Sequence, residues 1–146
     1  QRVSELGVQA AINRKVLSPA EYVARHTNGR GFDLVFDTAG GTALDDAFAA
    51  ACHEGEVSTV NARANHDLTP AHLRGLSVHI VMMLASMLKG TDLEHYGQIL
   101  AEAARLAEDG HLRPLMDPQS FRIWDVAEAH RYAATGSAIG KISLTL

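Results

Sequence analysis

The stretch GFDLVFDTAGG, which runs from Gly31 to Gly41, decides the fold of this chain. Its apolar run Leu34–Phe36 stops at a carboxylate, Asp37, and two glycines then precede a helical pattern. An apolar run that does not alternate with polar residues is typical of a parallel strand covered by helices. In such sheets, ligands bind beyond the carboxyl ends of the strands, and glycine there allows close approach of the backbone. The stretch therefore predicts a strand with a ligand-binding turn at its tip.

Further strands and helices alternate along the chain. Short apolar runs predict strands at Ala10–Ile12, Leu34–Phe36, Val57–Val60, Val78–Leu84 and Ile142–Leu146. The order strand, helix, strand, helix is the order that makes a doubly wound sheet. We therefore predict an α/β fold with a doubly wound, mainly parallel sheet.

Capping patterns predict where several helices begin. Each has a Ser, Thr or Asp as the cap, and Pro or an acidic residue follows in the first turn. A further amphipathic helix has apolar residues at spacings of three and four, runs from Glu94 to Asp109 and ends at Gly110. The capping patterns are Ser18-Pro19-Ala20-Glu21, Thr42 with Asp45 and Asp46, Thr69-Pro70, and Asp125-Val126-Ala127-Glu128.

Length and composition exclude several classes of protein. With 146 residues, 47% of them hydrophobic, the chain suits one domain with a buried core rather than a disordered segment. The net charge is −4 and no basic stripe is present, so we predict no nucleic-acid partner. No apolar run approaches the ~20 residues that a membrane helix needs, and no signal peptide is visible. We therefore predict no membrane partner.

Cysteine and histidine usage gives no pattern for a metal centre. The lone cysteine, Cys52, excludes an internal disulfide and fits a reducing compartment, from which we predict a cytoplasmic location. Cys52 falls in an alanine-rich predicted helix, where we interpret it as a small core residue. His66, His72 and His79 lie close together in the sequence, but Cys, Asp or Glu at ligand spacing is lacking. We predict no metal site.

The beginning of the chain predicts a fragment. The first residue is Gln1 rather than a methionine, and RVSELG, from Arg2 to Gly7, is typical of the last turns of a helix with a glycine cap. We therefore expect the N-terminal strands of the sheet to lie in an upstream part that the chain lacks.

An ordered set of motifs resembles a known family. The set resembles the C-terminal half of a medium-chain dehydrogenase/reductase of the zinc-type alcohol dehydrogenase-like superfamily, and most closely the zinc-free quinone oxidoreductases and related enoyl reductases. The resemblance covers about Leu6 to Leu146. The motifs are GFDLVFDTAGG, HEGEVSTVNA, LSVHIVMML, DGHLRPLM and WDVAEAHRYAATGSAIGKISLTL.

The resemblance implies a nicotinamide cofactor. Residues 1–146 would be the C-terminal part of a Rossmann domain that binds NADPH, with NADH as the other option, and the catalytic N-terminal domain would be absent. Arg14 would meet a 2′-phosphate, which favours NADPH because a guanidinium pairs well with phosphate oxygens. Lys141, after Gly140, would lie close to the cofactor cleft. The nicotinamide half would lie over Asp37, Thr38, Gly40, Gly41, Thr59, Val60, Asn61, Ala62, Met83 and Leu84.

The chain also departs from the family pattern. The glycine-rich phosphate loop is absent, and Asn61 stands where many relatives have glycine after the strand. The resemblance assigns no catalytic residue to this chain, and we expect the chain alone to be inactive. It also implies a homodimer joined through the strand edge Val78–Leu84, because an exposed apolar edge strand invites pairing with another chain.

Simpler interpretations stand beside these roles. Asp37 can cap the following helix or bind loop amides, and Gly40 and Gly41 can serve a tight turn alone. Arg14 can be a solvated charge in a loop, and Lys141 an exposed lysine without a function.

Three hypotheses for the function follow from the sequence. The first is the cofactor-binding portion of an NADPH-dependent oxidoreductase that transfers hydride to a quinone, an enone or another activated carbonyl, with a small molecule as substrate. The second is an S-adenosylmethionine-dependent methyltransferase, in which FDLVFD would be a strand of a similar sheet. The third is a non-enzymatic assembly domain with a Rossmann-like fold.

Overall fold

The computed structural model describes residues 3–146, which form two compact units that divide after Lys89. Arg2, the first residue of the predicted N-terminal helical stretch, therefore lies outside the described residues, as does Gln1. Helices and strands alternate in the first unit. Its elements are a 3-10 helix Val3–Leu6, α1 Pro19–Thr27, β1 Phe32–Asp37, α2 Thr42–Ala50, β2 Ala51–Thr59, α3 Thr69–Arg74, β3 Ser77–Ile80 and α4 Met83–Lys89.

The second unit begins with the longest helix and ends on a strand. None of the helices within residues 3–146 combines the length and the apolar character needed to cross a bilayer. The elements of this unit are α5 Leu93–Glu108, β4 Met116–Arg122, a 3-10 helix Ile123–Asp125, α6 Val126–Ala134 and β5 Lys141–Thr145.

The strands of the first unit form a three-stranded parallel sheet in the order β1-β2-β3. Val35 pairs with Val57, and Val57 pairs with Val78, so these valines point to one face of the sheet. Asp37 and Thr59 form the last row of the β1–β2 ladder. Helices α2 and α3 connect the strands, as parallel pairing requires. These features confirm the predicted α/β, Rossmann-like fold with parallel sheets.

Helix α2 packs on one face of this sheet. The opposite face leaves Leu34 and Phe36 exposed by 63% and 60%, so the apolar run is covered on one side rather than on both within the described residues. The buried core residues that pack together on the helix side are Leu44, Ala47, Phe48, Ala51, Val57 and Ala71.

The predicted helix caps agree with the structure except at α2 and at α3, where Leu68 is the capping residue and Thr69 already lies in the helix. The Glu21 carboxylate accepts hydrogen bonds from Ser18 N at 2.8 Å and Ser18 Oγ at 2.7 Å, which confirms the start of α1. The prediction that Thr42 caps α2 is wrong. Gly41 is the capping residue, with φ 56° and ψ −136°, and Thr42 already lies in the helix. This backbone conformation is one that glycine adopts most readily.

Two predicted strands differ from the structure. Ala10–Ile12 forms no strand, because none of the strands among residues 3–146 pairs with it. The strand predicted at Val78–Leu84 ends at Ile80, and Met83 begins α4. Met, Leu, Ala and Lys in residues 83–89 favour helix, and periodicity alone does not separate a short apolar strand from a buried helix.

Strand β2 is longer than predicted and contains Cys52. The placement of Cys52 in a helix is wrong, because α2 ends at Ala50 and β2 begins at Ala51. The side chain is nevertheless buried, as expected of a small core residue. Its Sγ lies 3.4 Å from the carbonyl oxygen of His53 and 3.7 Å from Asp33 Oδ1.

Strand β4 was not predicted, and β5 pairs with it. The two strands form their own parallel sheet, so the strand predicted at Ile142–Leu146 exists but does not extend the three-stranded sheet. Asp117 and Pro118 explain why the sequence did not indicate β4, since Asp and Pro are depleted in strands. The buried Asp117 carboxylate accepts hydrogen bonds from Gln119 N at 2.8 Å and Ile139 N at 2.6 Å.

Candidate functional site

Two loops meet at the carboxyl edge of the three-stranded sheet. We call this the strand-end edge and define it as Asp37–Gly41 together with Thr59–Ala62. Val60 N donates a hydrogen bond of 3.2 Å to the Asp37 carbonyl oxygen, which ties one loop to the other. The structure thus brings together most of the residues that the resemblance implied for the cofactor.

Gly40 packs directly against Asn61. A Cβ atom added to Gly40 would lie 2.7 Å from Asn61 Nδ2 and nearer still to the Asn61 carbonyl oxygen, while φ at Gly40 is +72°. Asn61 Nδ2 also lies 3.5 Å from the Ala39 carbonyl oxygen. A side chain at position 40 therefore has no room, and the glycine sets the distance between the two loops.

Asp37 is a buried scaffold of the strand-end edge. Its Oδ1 accepts hydrogen bonds from Ala39 N at 2.9 Å and Gly40 N at 3.0 Å, and its Oδ2 accepts one from Thr59 Oγ1 at 2.7 Å. Burial acts to raise the pKa of this carboxyl, but the hydrogen bonds from the loop amides and Thr59, helped by the charge of Arg14, lower the pKa below its usual value. The carboxylate therefore holds the loop, as the simpler interpretation expected.

Thr59 is the partner of Asp37 and is 0% exposed. Its Oγ1 also accepts a hydrogen bond of 3.1 Å from Asn61 N. Both side chains of the Asp37–Thr59 pair are thus engaged inside the protein. A contact between these two residues and the cofactor stays a prediction.

Other members of the edge are open to solvent. Thr38 is exposed, Val60 is 44% exposed, and Asn61 and Ala62 are half-buried. A Cβ built on Gly41 has no neighbour within 4 Å, so the space over this glycine is open. Gly41 also precedes the first turn of α2, where helix amides and the helix dipole favour negative groups.

Arg14 lines a cleft beside this edge. The cleft has a volume of about 220 Å³ and lies where α1, the end of β1 and the first turns of α2 meet. Arg14 is exposed, and none of the ion pairs formed within residues 3–146 involves it. Residues from these elements and from the loop between β1 and α2 line the cleft together with Arg14: Tyr22, Val35, Phe36, Asp37, Thr38, Ala39, Ala43, Asp46 and Ala47.

Sequence reasoning missed Tyr22 and Asp46. Burial raises the pKa of the Tyr22 hydroxyl, and the charge of Asp46 adds to this effect. Asp46 was noticed only as an acidic residue in a first helical turn. The position of Tyr22 on α1, one residue after the capping glutamate, was the only signal in the sequence for its role in the cleft.

The remaining predicted cofactor residues belong to other elements. Met83 and Leu84 are 60% and 47% exposed and belong to α4 rather than to a strand end, so their predicted strand position is wrong. Lys141 is the exposed first residue of β5, and its backbone N–H donates to the Leu115 carbonyl oxygen at 2.8 Å. The contact of these residues with the cofactor stays a prediction.

His66 is a further buried group near the edge. Its side chain is 8% exposed, and its Nδ1 lies 2.8 Å from Asp45 Oδ1 on α2. The ring meets Phe48 edge-on, with centroids 6.5 Å apart and an interplanar angle of 86°. Its Nε2 is buried and has no hydrogen-bond partner among the described residues.

Metal-binding groups are lacking in the part of the chain that the structure covers. Within residues 3–146, no group of three or more His, Cys, Asp or Glu side chains has a geometry that would hold a metal ion. The pairs His66–Asp45 and His79–Glu56 contain one histidine and one carboxylate each.

Comparisons with known proteins agree with the observed fold. An alcohol dehydrogenase superfamily protein from Novosphingobium aromaticivorans is 34% identical, with a TM-score of 0.89 over 99% of this chain and 44% of that chain. The apo JamJ enoyl reductase, at 22% identity, shares the fold, with a TM-score of 0.76 over 99% of this chain and 43% of that one. The reducing polyketide synthase rads1 of Floropilus chiversii is 27% identical over 125 residues, which are 84% of this chain and 5% of that protein.

The match to a family model covers almost the whole chain. The chain spans less than half of the dehydrogenase structure described above and a small part of the synthase. The model of the family described as zinc-binding dehydrogenase matches residues 6–144. The chain therefore belongs to the zinc-binding dehydrogenase family.

Proposed function

We propose that this chain supplies the cofactor-binding edge of an NADPH-dependent oxidoreductase. The observation that carries the proposal is the meeting of Asp37–Gly41 with Thr59–Ala62 at one edge of a parallel sheet, beside the cleft that contains Arg14. Ligands of such sheets bind at this edge. Family membership argues against the methyltransferase hypothesis, because the family is one of dehydrogenases.

The residues of the strand-end edge fit a dinucleotide. The open space over Gly41 would admit part of the cofactor, and the exposed Thr38 hydroxyl and the Asn61 amide would offer hydrogen bonds. The Asp37–Thr59 pair holds both loops before the ligand arrives, which lowers the cost of ordering them on binding. When bound, the cofactor supplies the hydride, and the protein contributes position and electrostatics.

Zinc does not fit the described residues. The family description names zinc, but the chain has one cysteine, Cys52, which is buried in β2. Residues 3–146 also lack a group of three ligands. We therefore derive no step through a metal ion.

The substrate that we propose is a small molecule with an activated double bond: an enone, a quinone or another activated carbonyl. Two relatives carry the printed names of an enoyl reductase and a reducing polyketide synthase, which favours the enone. The proposal of a quinone as substrate rests on the resemblance of the sequence motifs to the quinone oxidoreductases. We assign no general acid to this chain, and we place the protein in the reducing cytoplasm on the basis of its single free cysteine.

The experiment that tests the proposed function is a titration of the full-length gene product with NADPH and NADH, followed by nicotinamide fluorescence. Saturable binding supports the oxidoreductase. Absence of binding to either cofactor would contradict it and favour the alternative of a non-enzymatic assembly domain. Oxidation of bound NADPH by an enone or by a quinone then distinguishes the two substrate classes.

Arg14→Ala is expected to weaken NADPH binding by about ten-fold, because a charge-assisted hydrogen bond to phosphate is worth roughly 1.5 kcal/mol or more. NADH lacks the 2′-phosphate, and its dissociation constant should stay nearly unchanged. The measurement is the pair of dissociation constants from the same fluorescence titration. Arg25→Ala, which removes an exposed arginine of α1, is the matched control. Equal losses for both cofactors would contradict the phosphate role.

We also propose a homodimer that pairs through β3. Among the described strands, β3 lies at the end of the sheet order, and Ile80 is 65% exposed. An exposed, apolar edge strand invites pairing with a second copy. Ile80→Lys should therefore shift the protein from dimer to monomer in sedimentation velocity at micromolar concentration, whereas Leu73→Lys on α3 should not. A monomeric wild-type protein would contradict the dimer.

A further inference from the structure

One loop joins the strand-end edge to a buried imidazole. Residues 60–68 connect β2 to α3, and this loop carries Asn61 at one end and His66 near the other. The Asn61 end packs on Gly40, and the His66 end bonds to Asp45 in the first turn of α2. The loop is therefore attached at two places to the segment that contains the glycine pair.

The hydrogen-bond chemistry identifies the donor in the His66–Asp45 pair. The Asp45 carboxylate is an acceptor, so Nδ1 of His66 carries the hydrogen and donates it over 2.8 Å. Nε2 is buried and has no hydrogen-bond partner among the described residues. A buried polar atom without a partner costs free energy. An apolar ring would fill the same space without that cost, so the bond to Asp45 is what the imidazole adds.

We infer that His66 is a positioning residue for the cofactor. Its Nδ1–H bond to Asp45 holds residues 60–68 against α2 and thereby keeps Asn61 opposite Gly40. The inference rests on the proposed function, since it requires the strand-end edge to bind the dinucleotide. Without the bond, only a fraction of the molecules would hold the loop in place, and the affinity would fall by that fraction.

Two variants with side-chain amides distinguish the contributions of the two ring nitrogens of His66. In His66→Asn the side-chain amide reaches about as far as Nδ1, keeps a donor for Asp45 and removes the unpartnered Nε2. In His66→Gln the amide reaches as far as Nε2 and leaves Asp45 without its partner. The probe is NADPH, titrated against the full-length gene product. We expect an affinity about ten-fold weaker for the Gln variant and a nearly wild-type affinity for the Asn variant.

The partner residue gives an independent test. Asp45 is 47% exposed, so Asp45→Ala removes the bond with little change in packing. Asp45→Ala should weaken NADPH binding as much as His66→Gln does. The double variant, Asp45→Ala with His66→Gln, should bind NADPH no more weakly than either single variant. Asp67→Ala is the matched control, because its carboxylate accepts a hydrogen bond from Thr69 N at the start of α3 rather than from α2. That control should bind NADPH like the wild type.

The outcomes separate the two proposals. Wild-type protein that binds neither NADPH nor NADH overturns the proposed function and the inference with it. Wild-type binding together with an unchanged affinity in Asp45→Ala overturns the inference alone. Equal losses in His66→Asn and His66→Gln would show that His66 acts through packing, which also overturns it. Thermal unfolding of each variant shows that the titrations are made on folded protein.

Discussion

Gly40→Ala is expected to lower the free energy of unfolding by about 3 kcal/mol, from the combined cost of overpacking and of a strained backbone. The added Cβ would lie 2.7 Å from Asn61 Nδ2 and closer still to the backbone of Asn61, which is not free to move aside as a flexible side chain would be. The φ of +72° adds strain for any residue with a side chain. The measurement is a urea unfolding transition of the variant and of the wild type. The two midpoints are compared when the dependence of the unfolding free energy on urea concentration is the same in both proteins.

The same substitution should also reduce cofactor binding, because the loop that carries Asn61 would be pushed away from Gly40. Gly97→Ala is the matched control: Gly97 lies in α5, and its added Cβ has no neighbour within 4 Å. It should raise the free energy of unfolding by about 0.5–1 kcal/mol, the usual gain for alanine over glycine inside a helix. A Gly40→Ala protein that unfolds like the wild type would contradict the packing of the two loops.

Asp37→Ala should lower the free energy of unfolding by about 2–4 kcal/mol, because it leaves several buried donors without an acceptor. The Thr59 hydroxyl, which is 0% exposed, would lose its carboxylate, and the amides of Ala39 and Gly40 would lose theirs. A double-mutant cycle with Thr59→Val measures the coupling between the two side chains. Thr38→Val, at the exposed neighbour, is the control. If the effects of Asp37→Ala and Thr59→Val on the free energy of unfolding were strictly additive, the result would contradict an interaction between the two side chains.

The lowered pKa of Asp37 also predicts that the stability of the protein depends on pH. Because the pKa of this carboxyl is lower in the folded protein, the folded state holds fewer protons than the unfolded chain near the usual pKa of aspartate. The stabilisation is therefore fully present above the unfolded pKa and is lost as the pH falls through the folded pKa. Asp37→Asn should flatten this part of the curve of unfolding free energy against pH. If the unfolding free energy of Asp37→Asn fell at acidic pH as it does in the wild type, the result would argue against this role of the Asp37 carboxylate.

Local patterns in the sequence were enough for several elements. The box at Ser18 and Glu21 marks the start of α1 because both partners lie within one helical turn, where neighbours along the chain meet. The run Leu34–Phe36 and the glycine pair likewise indicated β1 and the loop that follows it. Asp37 was recognised from its place after the strand, although its two possible roles remained open.

Contacts between distant residues decided the rest. Asp117 lies in a stretch whose local preference points away from a strand, and pairing of β4 with β5 decided its state. Gly40 and Gly41 are adjacent and alike in sequence, yet only Gly40 faces Asn61, which is 21 residues away. A separation of that kind leaves no local signal.

The sequence by itself therefore determined the α/β order of elements, the position of the loop after β1 and the starts of most helices, because these depend on neighbours within a turn or a strand. Only the tertiary structure decided that the Asp37 carboxylate binds Thr59 and that His66 bonds to Asp45. The partners in these contacts are 22 and 21 residues apart, and folding of the parallel sheet is what brings them together.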